Sequence, residues 1–234
     1  MKPRNPKFAI NVYIDQELLI DDLNLLFVHG PRCKANANSR VSGLLPVMVN
    51  MDEINIMKWG WVIRKGQKQA VLGHVKEEYL QQRQFRDRRC VVVAKGITFW
   101  EEKSYEVDAD ADKTSKETRY YTEAFYVEPS EKYLYWPGIW TVTNKEDKKE
   151  CRCAFITQDS LFDKRFSKQL DYCPVFIPRK SIAAWLKGDM TVTQATNETE
   201  FVQLNRPFMK LGDAVCLSVS FCFFFAHLVV HGLL

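Results

Sequence analysis

Short runs of β-branched and aromatic residues, separated by polar or glycine-bearing clusters, dominate most of the chain. The clearest run is Phe85 to Trp100, FRDRRCVVVAKGITFW. It opens with Arg86, Arg88 and Arg89 and turns apolar at Cys90-Val91-Val92-Val93-Ala94. Two heavy atoms on Cβ stiffen each valine at χ1 and suit it to a pleated surface rather than a helix. Lys95-Gly96 reads as a turn or bulge, and an extended bulky run resumes at Ile97. The stretch predicts two central strands meeting at a tight bend, with cations at the entry and aromatics at the exit.

The same reading predicts strands at 9–14, 46–49, 57–63, 119–127, 134–142, 151–157, 174–177 and 202–209. Helical spacing is predicted at 15–27, with Asp15 as N-cap and Leu18, Leu19, Leu23 and Leu26 along one side. His29-Gly30-Pro31 stops that helix. Further helices are expected at 74–83, 160–170 and 180–186, and polar turns at 33–42, 64–68, 101–118 and 144–150. Many short strands with few helices give an α+β fold: one sheet-rich domain over 1–213, with a β-barrel-like core of mostly antiparallel strands.

Composition changes this picture little. At 234 residues and 46% hydrophobic, the chain is long enough to bury a large core, and a net charge of +4 permits nucleic-acid contact without demanding it. The seven cysteines include no CxxC pair. Cys151 and Cys153 form a CxC whose thiols share one face of a strand. Lys2, Arg4 and Lys7 lead into a polar mix rather than a signal peptide, so reduced thiols in a cytoplasmic (or nucleoid or nuclear) setting are expected. A lone CxC lacks a second ligand pair, so no zinc site is expected. The run DADAD invites a calcium reading, but Lys113 and Arg119 stand where an EF-hand loop needs Gly and Glu. No phosphate-binding glycine loop and no Ser-His-Asp set is present, and no cofactor is implied.

Residues 214–234, AVCLSVSFCFFFAHLVVHGLL, carry no Lys, Arg, Asp or Glu. As a helix they would span roughly 30 Å, enough to cross a bilayer. A membrane anchor, a buried last strand, an apolar helix packed on the core and sequence foreign to the domain all remain open.

Seven segments in order resemble the SRAP family, the SOS response-associated peptidases that include abasic-site sensors. The central one is Arg88-Arg89-Cys90 with the valines and the aromatic run after Gly96, set against RRC-hydrophobic-PA-x-GFYEW. Before it come Asn38 with Leu45-Pro46-Val47-Met48, and Met57-Lys58-Trp59-Gly60-Trp61-Val62-Ile63. After it come Trp136-Pro137-Gly138-Ile139-Trp140, Ala154-Phe155-Ile156-Thr157, Tyr172-Cys173-Pro174-Val175-Phe176-Ile177 and Ala184-Trp185-Leu186. The departures fall on the chemistry. The family nucleophile is a Cys at position 2, where Lys2 stands here. The family glutamate falls on Phe99, its histidine on Leu170, and the Asn and Arg of its NAR-x-E segment on Gly73 and Val75, leaving Glu77. Lys, Phe and Leu cannot supply a thiol nucleophile with acid and base partners.

The resemblance implies a protein of the DNA-damage response that holds single-stranded or abasic-site DNA without the Cys-based cross-link. Asn38, Trp59, Glu77, Arg88 and Arg89 stand at matching family positions, and Trp61, Arg64 and Lys65 extend a basic-aromatic loop beside them. Lys2 offers only a Schiff-base route to an abasic aldehyde, inefficient while its amine is protonated. The alternative is a catalytically dead interaction protein. Phe99 and Leu170 would leave it an apolar pocket for a peptide or protein partner, with the tail as a possible membrane tether.

Overall fold

The computed structural model describes residues 8–11, 16–30, 41–65, 68–75, 87–108, 116–145, 148–159 and 172–210. The valine run is strand β8 (Arg89–Ala94), paired along its length on one side and at Val91 and Val92 on the other. Its neighbours are β3 (Leu44–Met48) and β11 (Leu134–Lys145), both antiparallel to it. β3 continues into β4 (Glu53–Trp59), and β11 forms a hairpin with β12 (Lys148–Asp159). β12 and β4 then pair in parallel at Arg152↔Lys58 and Cys153↔Trp59. That pairing closes β12-β11-β8-β3-β4 into a barrel. Three short strands add to it: β2 (Phe27–His29) on β4, and β7 (His74–Val75) and β13 (Tyr172–Pro174) on β12. A second sheet has the order β1-β9-β10-β14, formed by Phe8–Asn11, Gly96–Asp108, Lys116–Pro129 and Leu204–Lys210. β5 (Trp61–Lys65) and β6 (Lys68–Leu72) make a separate hairpin.

β8 shows why an uninterrupted apolar run was needed. Successive side chains on a strand point to opposite faces, and here both faces are buried. Val91 and Val93 join a cluster with Leu19 and Leu23 of α1 (Gln16–Leu23), Ile182 and Trp185 of α2 (Ile182–Lys187) and Ala195 of α3 (Val192–Thr199). Cys90, Val92 and Ala94 join another with Trp59, Trp136, Phe155 and Phe176, together with Ile97 and Val127 of the second sheet. Each fully buried valine contributes roughly 1.5–3 kcal/mol of transfer free energy. Aromatic contacts add to the second cluster: Trp136 stacks on Phe155 at 4.2 Å between centroids, and Trp59 meets Phe155 at a tilt, 4.9 Å away.

Several boundaries moved. The first helix ends at Leu23 rather than running to 27. Asn24 takes a left-handed backbone (φ 56), and Phe27-Val28-His29 then pairs with β4. Leu19 and Leu23 face the core as the spacing predicted, whereas Leu26, beyond the break, is 68% exposed. The strand expected at 57–63 is two strands, because Gly60 (φ 105) turns the chain between Trp59 and Trp61. β8 and β9 do meet at Lys95-Gly96, but they enter different sheets. The polar segment 101–118 is narrower as a turn than expected, since β9 and β10 run to Asp108 and from Lys116. At 74–83 the described part, His74–Val75, is strand, and the rest lies outside the described residues, as does 160–170. Helix α3 was not anticipated. Its signal was present in Thr191-Val192-Thr193-Gln194, which forms a capping box: Thr191 Oγ1 accepts from Gln194 N and Gln194 Oε1 accepts from Thr191 N.

Candidate nucleic-acid interface

The cations that open β8 have opposite environments. Arg89 points inward under α2. Its guanidinium stacks on Trp185 at 4.4 Å from the ring centroid and donates to the carbonyls of Trp185 and Met190, at the end of α2 and just beyond it. Burial pulls its pKa down from the usual arginine value, and Asp189 partly offsets this. Trp185 in turn donates its indole N–H to the Cys90 carbonyl (2.9 Å), so Arg89 and Trp185 together fasten α2 to β8. Arg88 is half-buried. Its guanidinium lies 5.8 Å from the Trp140 ring centroid and donates to Thr141 Oγ1 at 3.4 Å.

Thr141 sits opposite Arg152 on β12, and Arg152 opposite Lys58 on β4. At this end of the barrel Thr141, Arg152 and Lys58 therefore line one face of β11, β12 and β4 over roughly 10 Å. Arg88 lies opposite Trp140 on the other face and meets this row through Thr141. Lys58 Nζ lies 3.0 Å from Glu150 Oε1, and Arg152 forms a forked pair with Glu150 Oε2. Arg152 is buried, its other arm donating to the Gly60 carbonyl (3.0 Å), so it is a fixture of the wall. Burial pushes the Glu150 carboxyl up, but the hydrogen bonds from Lys58 and Arg152 outweigh it and the net shift is downward. Two cations, Lys58 and Arg152, thus face the Glu150 carboxylate, and the exposed Asp87 precedes Arg88. A half-exposed guanidinium over an indole is suited to contact a phosphate and stack on a base.

The remaining candidates fall elsewhere. Trp59 is fully buried, and its indole donates to the Gly73 carbonyl at 2.8 Å. Trp61, the first residue of β5, is buried in the cluster under the helices. Neither presents a face to a base. Arg64 lies on β5 opposite Gln69, near the tip of a hairpin whose turn is basic. Phe99 lies on β9, paired with Phe8 and with Phe125. Lys2, Asn38, Glu77 and Leu170 lie outside the described residues.

The space beside Gly73 is closed. A Cβ there would meet Val41 Cγ2 at 2.9 Å and Trp59 Nε1 at 3.1 Å. Its space is closed by the same tryptophan that uses its carbonyl, so an asparagine does not fit without movement. Beside it, His74 Nδ1 lies 3.1 Å from Thr157 Oγ1, joining β7 to β12. Sequence reasoning gave His74 no role, because the pairing partner is on a distant strand. The buried thiols of Cys90 and Cys153 are held protonated: burial raises both, Cys153 to about 12. Among the described residues no group of His, Cys, Asp and Glu is arranged to hold a metal, and no helix is long and apolar enough to cross a membrane. The apolar segment 214–234 lies outside those residues.

A family model described as SOS response associated peptidase (SRAP) matches residues 14–216. Two solved structures share the fold. A protein from Bacteroides thetaiotaomicron is 13% identical with a TM-score of 0.55, over 82% of this chain and 86% of its own. A phage-related protein from Bordetella bronchiseptica is 17% identical with a TM-score of 0.51, over 83% of this chain and 88% of its own. No curated protein matches the sequence.

Proposed function

The chain belongs to the SRAP family, and from that premise we propose that it is a DNA-damage-related protein that binds single-stranded or abasic-site DNA non-covalently. The observation that carries this reading is the half-buried Arg88 guanidinium 5.8 Å from the Trp140 ring centroid, at the barrel end whose other face holds Lys58 and Arg152. Phosphates would contact Arg88 and Lys58, and the basic tip with Arg64 and Lys65 is the natural extension of the track. Covalent capture through the family thiol is not part of the proposal, because position 2 is Lys2 and the Asn site is the closed Gly73.

The test uses the full chain with a single-stranded oligonucleotide carrying one abasic site, beside the intact strand, on native and denaturing gels. The expected result is a shift on the native gel alone, weakened by Arg88→Ala. A band surviving denaturation only with the abasic strand would replace this reading by covalent capture through an amine such as Lys2. No shift at low salt would remove DNA from the account. The second reading, a partner-binding pseudoenzyme, is favoured by one observation: Trp59 and Val41 fill the space over Gly73, where the family places a polar side chain.

A further inference from the structure

The outermost strand of the large sheet is β2, which pairs in parallel with β4 on one side and with no described residue on the other. Phe27 N donates to the Asp52 carbonyl. Bonding in a parallel ladder alternates along the strand, so Phe27 and His29 turn their backbone groups to β4. Val28 presents its N–H and C=O to the open side. Its side chain packs on the cluster beneath the helices, while the Phe27 and His29 rings share the outer face, 6.0 Å between centroids. Leu26, Phe27 and Met51 are 68%, 56% and 41% exposed. The Asp52 carbonyl accepts from both Leu26 N and Phe27 N, which sets Met51 beside them. Half of the large apolar side chains exposed among the described residues therefore meet at this one edge, a concentration that single scattered side chains do not explain.

An open edge rimmed by apolar side chains is a template for an added strand. The charges around it decide which strand adds. Asp52 is exposed, and no described cation lies within ion-pair distance of its carboxylate. Glu53 is met by Asn50 Nδ2 (3.2 Å) and His29 Nε2 (3.5 Å). The cations beside α1 are occupied: Lys132 pairs with Asp22 (2.6 Å), and Arg179 donates to the Leu23 carbonyl (3.4 Å). Two copies of this edge paired about a two-fold axis would bring Asp52 and Glu53 towards their own counterparts, and like charges so placed repel. An apolar strand that carries a cation has the complementary sign. We propose that β2 is a docking edge for an extended segment of a partner protein, its backbone paired with Val28, its apolar side chains over Leu26, Phe27 and Met51, and a lysine or arginine meeting Asp52. Glu53 opens β4 and Lys58 nears its other end, roughly 17 Å along the strand. The edge is thus separate from the Arg88 end of the barrel and does not depend on DNA binding.

The probe is a fluorescein-labelled peptide, Lys-Thr-Val-Thr-Val-Thr-Lys, titrated with the full chain and followed by fluorescence anisotropy. Saturable binding is expected. Two further peptides carry methyl groups on the valine nitrogens or on the threonine nitrogens. One of them should lose binding and the other keep it, because only one set of N–H groups faces Val28. Phe27→Lys, at an exposed position, should weaken binding roughly ten-fold without moving the melting temperature. Asp52→Asn should weaken it about two- to five-fold at low salt and leave it unchanged at about 1 M salt. No saturable binding at millimolar peptide overturns the proposal, as does equal binding by both methylated peptides. A dimer of the full chain in sedimentation velocity that Phe27→Lys dissolves overturns it in favour of a second copy at this edge.

Discussion

Two adjacent arginines divide the labour of the barrel end. Arg89 sits against Trp185 with one guanidinium nitrogen donating to the carbonyls of Trp185 and Met190, while Arg88 reaches over Trp140 with only a long contact to Thr141. One residue along a strand inverts the face. The face under α2 uses a cation as a structural clasp. The face toward Trp140 leaves one where a phosphate can reach it. Arg88-Arg89-Cys90 therefore spells one half-buried cation and one fastener.

The largest effect that sharpens the contrast comes from Trp59, a residue whose position in the motif suggests DNA contact and whose packing says core. Trp59→Ala removes the ring packed on Phe155 and leaves the Gly73 carbonyl with only its bond from Phe155 N. A loss of about 3–5 kcal/mol in urea unfolding is expected. A variant of wild-type stability with weakened DNA binding would instead show the ring facing ligand. Next in size is Arg89→Ala, which takes the donor from the Met190 carbonyl, leaves the Trp185 carbonyl only its bond from Gly188 N, and bares Trp185. It should cost about 2–3 kcal/mol. Arg89→Lys should not rescue it, because an ammonium cannot stack and fork in the same place. Equal stability of Arg89→Ala and wild type would erase the distinction between the two arginines.

The contrast also explains what the sequence disclosed. Cys90 to Ala94 is legible because a strand buried on both faces must be apolar throughout. The ordered segments around it carry the family resemblance through core positions such as Trp59 and Trp136. What hid was set by tertiary pairing. The parallel contact of β12 with β4 closes the barrel between residues 94 positions apart, Lys58 and Arg152, and leaves no local mark. The break at Asn24 needed a left-handed backbone that its neighbours do not announce. At the site, the alternation of β8 separates Arg88 from Arg89, but only the presence of α2 decides which of them is covered. His74 with Thr157 was likewise invisible until two distant strands met. The capping box at Thr191 was a local signal, and it was legible but overlooked.

Smaller effects test the Arg88 side. Arg88→Ala should change stability by less than about 0.5 kcal/mol, because its interactions are partly solvated. It should reduce the slope of log K against log salt by about 1 for a single-stranded oligonucleotide, the signature of one lost phosphate contact. An unchanged salt slope would move the DNA path off this end of the barrel.

The smallest effect concerns Glu150, which restrains the same cations. Burial would raise its carboxyl, but hydrogen bonds from Lys58 and Arg152 bring it below the ordinary glutamate value of 4.5. A group lowered on folding contributes stability that is fully present above its unfolded value and is lost as pH falls through the lowered folded value. Unfolding measured across the acid range should therefore show a modest decline below about pH 4.5 that Glu150→Gln removes. At neutral pH the same substitution releases Lys58, and low-salt DNA affinity should rise slightly. A decline unchanged by Glu150→Gln would mean that the carboxylate does not hold these cations. Lys58 would then be as available to a phosphate in the wild type as in the variant, and the rise in DNA affinity would be absent.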